Sequence, residues 1–194
     1  MTERNDILGQ KAITINTPAS ADAHITADDD AFIHHALLGE KSGILGSLTC
    51  EKSGDNVVVL RGGGASNRGY VLYVPNGESE SLTIVSGTQG LSRHDLVVAQ
   101  FTRGTSDIAD ELIFTVVTGT PGTAPEDPQL ITSDLLSAGD VNQVALFRIT
   151  IDGTVLTAIE KLETASGGTS GRSLFVGSAE PAEANEGDLW FVTA

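Results

Sequence analysis

The chain is interrupted at short intervals by residues that tolerate a left-handed backbone, and this spacing limits the folds open to it more than any other feature. Gly54-Asp55, Gly62-Gly63-Gly64, Asn76-Gly77, Gly87-Thr88-Gln89-Gly90 and Asp152-Gly153 each supply residues that tolerate the positive φ of a tight turn between twisted strands. Around them lie apolar, β-branched runs at 44–50, 56–61, 70–74, 81–85, 95–101, 111–118, 144–150 and 155–160. Each is strand-sized. Their spacing predicts an all-β fold, an antiparallel β-sandwich or barrel. With 22 glycines and only 5% aromatic residues, the composition suits short strands and many turns.

One segment breaks the β period. Across 26–39, Phe32, Ile33, Ala36 and Leu37 are spaced to share one helical face. Asp28, Asp29 and Asp30 place negative charge at the positive end of the helix dipole, and Gly39 offers a left-handed stop. A single N-terminal helix of about three turns is expected. Asp152-Gly153 between two apolar runs predicts a tight hairpin. Residues 120–128, with Pro121, Pro125 and Pro128, cannot be regular, so a long crossing connection should join the sixth and seventh strands.

The ends differ from the middle. Residues 1–20 read as an attachment arm in which Lys11-Ala12-Ile13-Thr14-Ile15-Asn16 alternates like a strand before Thr17-Pro18-Ala19 breaks it. A β-sandwich or barrel domain follows over 21–163, then a Ser/Gly linker over 164–172. The last part, 173–194, reads as a small C-terminal β-hairpin module whose two apolar runs need cover from a neighbour. There is no repeat of solenoid length and no sustained heptad.

A formal charge of −15 repels polyanions, because nucleic-acid binding needs clustered Lys and Arg to displace counterions. Apolar runs fall short of the roughly 18 residues of a spanning helix, and the start, Met1-Thr2-Glu3-Arg4, does not resemble a secretion signal. The expectation is synthesis in a cytoplasm without membrane insertion. Cys50 is alone and lies in an apolar stretch, as a small buried thiol does.

Catalysis needs a nucleophile with its base, a metal cage, or two carboxylates in separate environments. His34 and His35 are adjacent, so they diverge by about 100° on a helix where a metal pair is spaced by three or four. His94-Asp95 has the look of part of a hydrolase triad, yet Ser66 in Gly64-Ala65-Ser66-Asn67-Arg68 lacks the second glycine of a nucleophile elbow. The loop from Arg61 to Gly69 carries glycines and the two arginines Arg61 and Arg68 but lacks the Lys-Ser/Thr ending of a phosphate cradle. It reads as a wide hairpin loop able to touch a ligand or partner. The Asp28 to Asp30 run lacks the spaced oxygens and glycine of a calcium loop. Trp190 and Phe191 beside Asp188 form the aromatic-plus-carboxylate set that can stack on a sugar, or pack at a subunit contact. The reading is therefore no catalytic, metal or cofactor residues, and possible ligand or interface roles for Trp190, Phe191, Asp188, Arg61 and Arg68.

His24-Ile25-Thr26-Ala27-Asp28-Asp29-Asp30-Ala31, with Leu38-Gly39 and Ile44-Leu45, resembles the opening of a family of structural proteins encoded in the tail modules of phages and prophages of Gram-positive bacteria. Val85-Ser86-Gly87-Thr88-Gln89-Gly90 followed by Arg93-His94-Asp95-Leu96-Val97-Val98-Ala99 resembles that family's Asn-Gly-Thr-Gln-Gly, Arg-x-Asp-Leu block, differing in Ser86 and Gln100. Gly119-Thr120-Pro121 with Asp127-Pro128 resembles its next one. Pro181 and Glu186-Gly187-Asp188-Leu189-Trp190-Phe191 are similar to short modules of phage fibre and receptor-binding proteins. The resemblance brings no catalytic residues. It implies a virion protein of the distal tail, a baseplate or tail-fibre component serving host attachment. The implied partners are other copies in a trimer, other tail proteins and host cell-surface carbohydrate. A carbohydrate-binding module and a head-decoration or head-fibre protein are the alternatives.

Overall fold

The computed structural model describes residues 26–105, 107–135, 139–162, 174–177 and 189–192. The arm, the linker and most of the C-terminal loop lie outside them. After the helix α1 (Ala27–Leu37) the chain forms β1 (Gly43–Leu45), β2 (Thr49–Gly54), β3 (Val57–Arg61), β4 (Gly64–Asn67), β5 (Tyr70–Tyr73) and β6 (Glu80–Thr83). The longer strands β7 (Ser92–Thr102), β8 (Glu111–Val117), β9 (Val141–Asp152) and β10 (Val155–Lys161) follow, then β11 (Leu174–Gly177) and β12 (Leu189–Val192).

The antiparallel all-β architecture expected from the turn spacing is present. One layer is the sheet β10-β9-β7-β8. The facing layer is split: β2-β3-β6 covers one end, with β2 near β10 and β6 near β8, while β1-β4-β5 and α1 cover the other. Alternation along β7 sends Val97 and Ala99 inward to meet Val58, Leu60, Leu82, Leu146 and Ile149 in the main core. Each such aliphatic side chain stabilises the fold by about 1.5–3 kcal/mol on burial. Phe101, on the same face two residues further, belongs to a smaller cluster with Ala31, Tyr70 and Leu135 beneath the helix.

The opposite face of β7 is also dry. Leu96 and Val98 are buried there although the sheet is antiparallel. The crossing connection expected between the sixth and seventh strands lies on that face: Ser92 bridges Gly122, His94 meets Asp127, and Thr132 bridges Asn142. Covering both faces explains why the centre of the strand, 96–99, reads as an unbroken apolar run.

Four details differ from the sequence reading. The run 44–50 is two strands, because Gly46 takes a φ of 64° and turns the chain between β1 and β2. The presumed wide loop after Arg61 contains β4, fully buried from Gly64 to Asn67. Its small residues hide it from a propensity reading, yet they are what the site demands, since a Cβ on Gly64 would sit 2.4 Å from the Leu72 carbonyl oxygen. The helix buries Ala31 and His35 and leaves Phe32 and Leu37 exposed. It approaches the sheet through glycine: a Cβ on Gly69 would lie 1.8 Å from the Ala31 carbonyl oxygen, so only glycine fits at 69 beneath the helix backbone. Finally, β11 and β12 pair in parallel, Phe175 opposite Trp190. The expected C-terminal β-hairpin is therefore corrected, because the two strands of a hairpin run antiparallel and these run parallel.

The helix start follows its sequence signals. Thr26 is the N-cap of a capping box in which its backbone N–H donates to Asp29 Oδ2 at 2.8 Å. Gly39 has a φ of 63° at the stop. The β9–β10 hairpin turns between paired Asp152 and Val155, with Gly153 at a φ of 58°.

Candidate binding surface

The motif block around β7 concentrates charge, and the structure uses that charge internally. Arg93 and Asp95, 4% and 0% exposed, form a two-point pair with Nε–Oδ1 at 2.9 Å and Nη2–Oδ2 at 3.1 Å. Arg93 also donates to the carbonyls of Val85 and Ser86, while the Gly119 N–H donates to Asp95 Oδ1 at 2.9 Å. One buried ion pair thus ties the segment leaving β6 and the end of β8 to the start of β7. Every strong donor and acceptor of the pair is engaged, which is the condition under which a buried pair is tolerable.

His94 points to the other face. Its Nδ1 lies 2.9 Å from Asp127 Oδ1, and Asp127 is gripped by Arg148 at 2.7 and 2.5 Å. Arg148 also reaches Glu160 at 2.6 Å. The Arg148 guanidinium beside it, and then His94, hold the Asp127 carboxyl below its ordinary value of 3.8. Ser66 is fully buried inside β4 with its Oγ accepting the Gly69 N–H at 3.2 Å, so the triad reading of His94 finds no serine there. A third cluster anchors the helix: the Tyr70 hydroxyl donates to Asp28, and Arg103 reaches Asp28 at 3.2 Å and the Leu135 carbonyl at 2.9 Å. Burial, followed by the bond to Asp28, pushes the Tyr70 hydroxyl up to about 12. Asn67 and Asn142 close a fourth, fully buried amide pair at 2.6 Å. Sequence reading had Arg93 only as a letter of the motif block and singled out none of Arg103, Arg148 or Asn142; the only available signal was charge placed inside or beside an apolar run.

The residues picked from sequence are dispersed. Arg61 ends β3 at the surface. Arg68 follows β4, in the turn to β5, and so belongs to a different sheet from Arg61. Trp190 and Phe191 lie in β12, and Asp188 is outside the described residues. Among the described residues no group of three His, Cys, Asp or Glu side chains converges, and no helix is long and apolar enough to cross a membrane.

Two clefts remain. The first, of about 480 Å³, opens where β2 and β10 meet and is floored by Leu48, Cys50, Phe147 and Ile159. Burial, and then Glu51, pushes the Cys50 thiol up to about 12. The second, of about 340 Å³, lies at the β4–β5 turn and mixes the polar Glu40, Ser42, Arg68, Thr132 and Gln143 with the apolar Val144. No protein-family model matches the chain, and no curated protein matches it.

Proposed function

We propose that this chain is a non-enzymatic structural protein of a phage distal tail, a baseplate or tail-fibre component that serves host attachment. The observation that carries the reading is the use made of the motif block: Arg93 and Asp95, the charged pair that follows its Gly-Thr-Gln-Gly run, hold strand ends together inside the core. A motif spent on architecture suits a building block better than an enzyme. The acidic surface, at −15, argues against contact with packaged nucleic acid. In this reading the chain works as an oligomer of itself beside other tail proteins, with the arm 1–20 as the fixing device.

The test is adsorption competition. Purified chain incubated with host cells should decorate them and lower subsequent adsorption of the phage. Absence of decoration together with unchanged adsorption would remove the attachment role.

A further inference from the structure

We infer that the cleft at the β4–β5 turn binds a neutral pyranose unit of a glycan. This deepens the attachment reading and rests on it for the source of the glycan; the cleft itself is argued from its own residues. Glu40 and Arg68 are the two non-glycine positive-φ residues among the described residues, at 61° and 52°, and both line this cleft. A left-handed backbone is disfavoured for long side chains. Such outliers concentrate where a surface is shaped for a ligand.

The side chains do not repay that strain inside the protein. Arg93, Arg103 and Arg148 are each locked to a carboxylate. The guanidinium of Arg68 and the carboxylate of Glu40 have no partner among the described residues, and although they share a cleft they do not pair with each other. Their backbones are fixed nonetheless. The Arg68 N–H donates to Ser42 Oγ at 2.9 Å, and the Glu40 N–H donates to the His35 carbonyl at 2.8 Å. The cleft therefore holds, on a rigid base, one group that only donates and one that only accepts.

That combination selects a ligand. An anion satisfies Arg68 but meets Glu40 and a chain of charge −15. A cation satisfies Glu40 but meets Arg68. A hydroxyl both donates and accepts, so adjacent ring hydroxyls can donate to Glu40 while accepting from Arg68. Gln143 is already committed, donating to Gln100 at 2.7 Å and accepting the Ile131 N–H at 3.0 Å, and acts as a wall. At about 340 Å³ the cleft is at the small end of ligand sites, which suits a single ring. Without an aromatic platform each site binds weakly, and several copies on one particle supply avidity.

The test titrates the ¹⁵N-labelled full chain with methyl glycosides of glucose, galactose, rhamnose and N-acetylglucosamine, and separately with sodium phosphate. At least one glycoside should saturably shift the amides of Glu40, Ser42 and Arg68 and the Arg68 Nε–H, while phosphate leaves them unmoved. Arg68→Gly suits the left-handed backbone, so the fold should persist while affinity falls about tenfold or more, the loss of a charged hydrogen-bond donor. Cleft shifts with phosphate alone, glycoside shifts confined to the Trp190 indole, or no cleft shift with any glycoside would each overturn the inference. Blocked adsorption without cleft shifts sinks the cleft alone; cleft shifts without blocked adsorption sink the attachment reading alone.

Discussion

Arg93 and Asp95 bring two charges into the end of the core, and their value is best measured by removing them separately and together. Arg93→Met leaves Asp95, and Asp95→Leu leaves Arg93, buried without its counter-charge, and each should cost about 3–5 kcal/mol. The double replacement Arg93→Met, Asp95→Leu should cost much less than the sum of the singles, because it removes the burden of an unpaired charge along with the pair. Chemical denaturation of the three variants decides this; additive losses would mean the pair is not a unit. Asp127 gives a pH signature. Its carboxyl titrates below 3.8 in the folded chain, so its contribution is complete above that value and is lost as pH falls through the lowered one. Asp127→Asn should therefore cost roughly 1 kcal/mol at neutral pH, given a partly exposed pair, and the gap from the parent should close below pH 3.8. A gap that persists in acid would assign the loss to shape instead. At Cys50, a thiol raised to about 12 should react with a maleimide at pH 8 on the order of a thousandfold more slowly than a free thiol, and a normal rate would mean the β2–β10 cleft opens.

At the level of elements, what the sequence made legible was whatever a turn, an acidic run or a β-branched run announces: the hairpin at Gly153, the helix start at Asp28 to Asp30, and the long strands. What it hid follows a different rule. β4 is built of Gly, Ala, Ser and Asn because backbone must approach backbone there, and close approach favours the residues that a propensity reading assigns to loops. The helix face was misread for the same reason, since Ala31 over Gly69 makes the contact and the larger Phe32 and Leu37 do not. The cleft pair Glu40 and Arg68 was half visible: Arg68 stood out as a cation in a glycine-rich segment, whereas Glu40 joins it only through the fold. Close approach also separates two glycines of similar appearance. Gly87, in the motif block, would place a Cβ 2.0 Å from the Gly153 carbonyl oxygen, whereas a Cβ on Gly153 meets nothing within 4 Å. Gly153→Ala should cost only the left-handed penalty of about 1 kcal/mol, and Gly87→Ala should cost more and shift the β9–β10 hairpin. Equal melting temperatures for the two would contradict the packing described.

For the whole molecule, the sandwich accounts for its own interior, while the apolar strands at the C-terminus and the strand-like arm at the N-terminus are the pieces for which other copies are the proposed cover. Light scattering of the full chain should give a closed oligomer, with three copies expected; a dimer would remove the trimer and a monomer the oligomer. The central claim is more specific than assembly, because it places this chain at the attachment end of a tail. Electron cryomicroscopy of intact virions tests it most directly. The account predicts density matching the β10-β9-β7-β8 layer and its split partner layer, repeated around the tail axis at the distal end with the N-terminal arm directed into the tail. The same density on the capsid, or its absence from the virion, would contradict it.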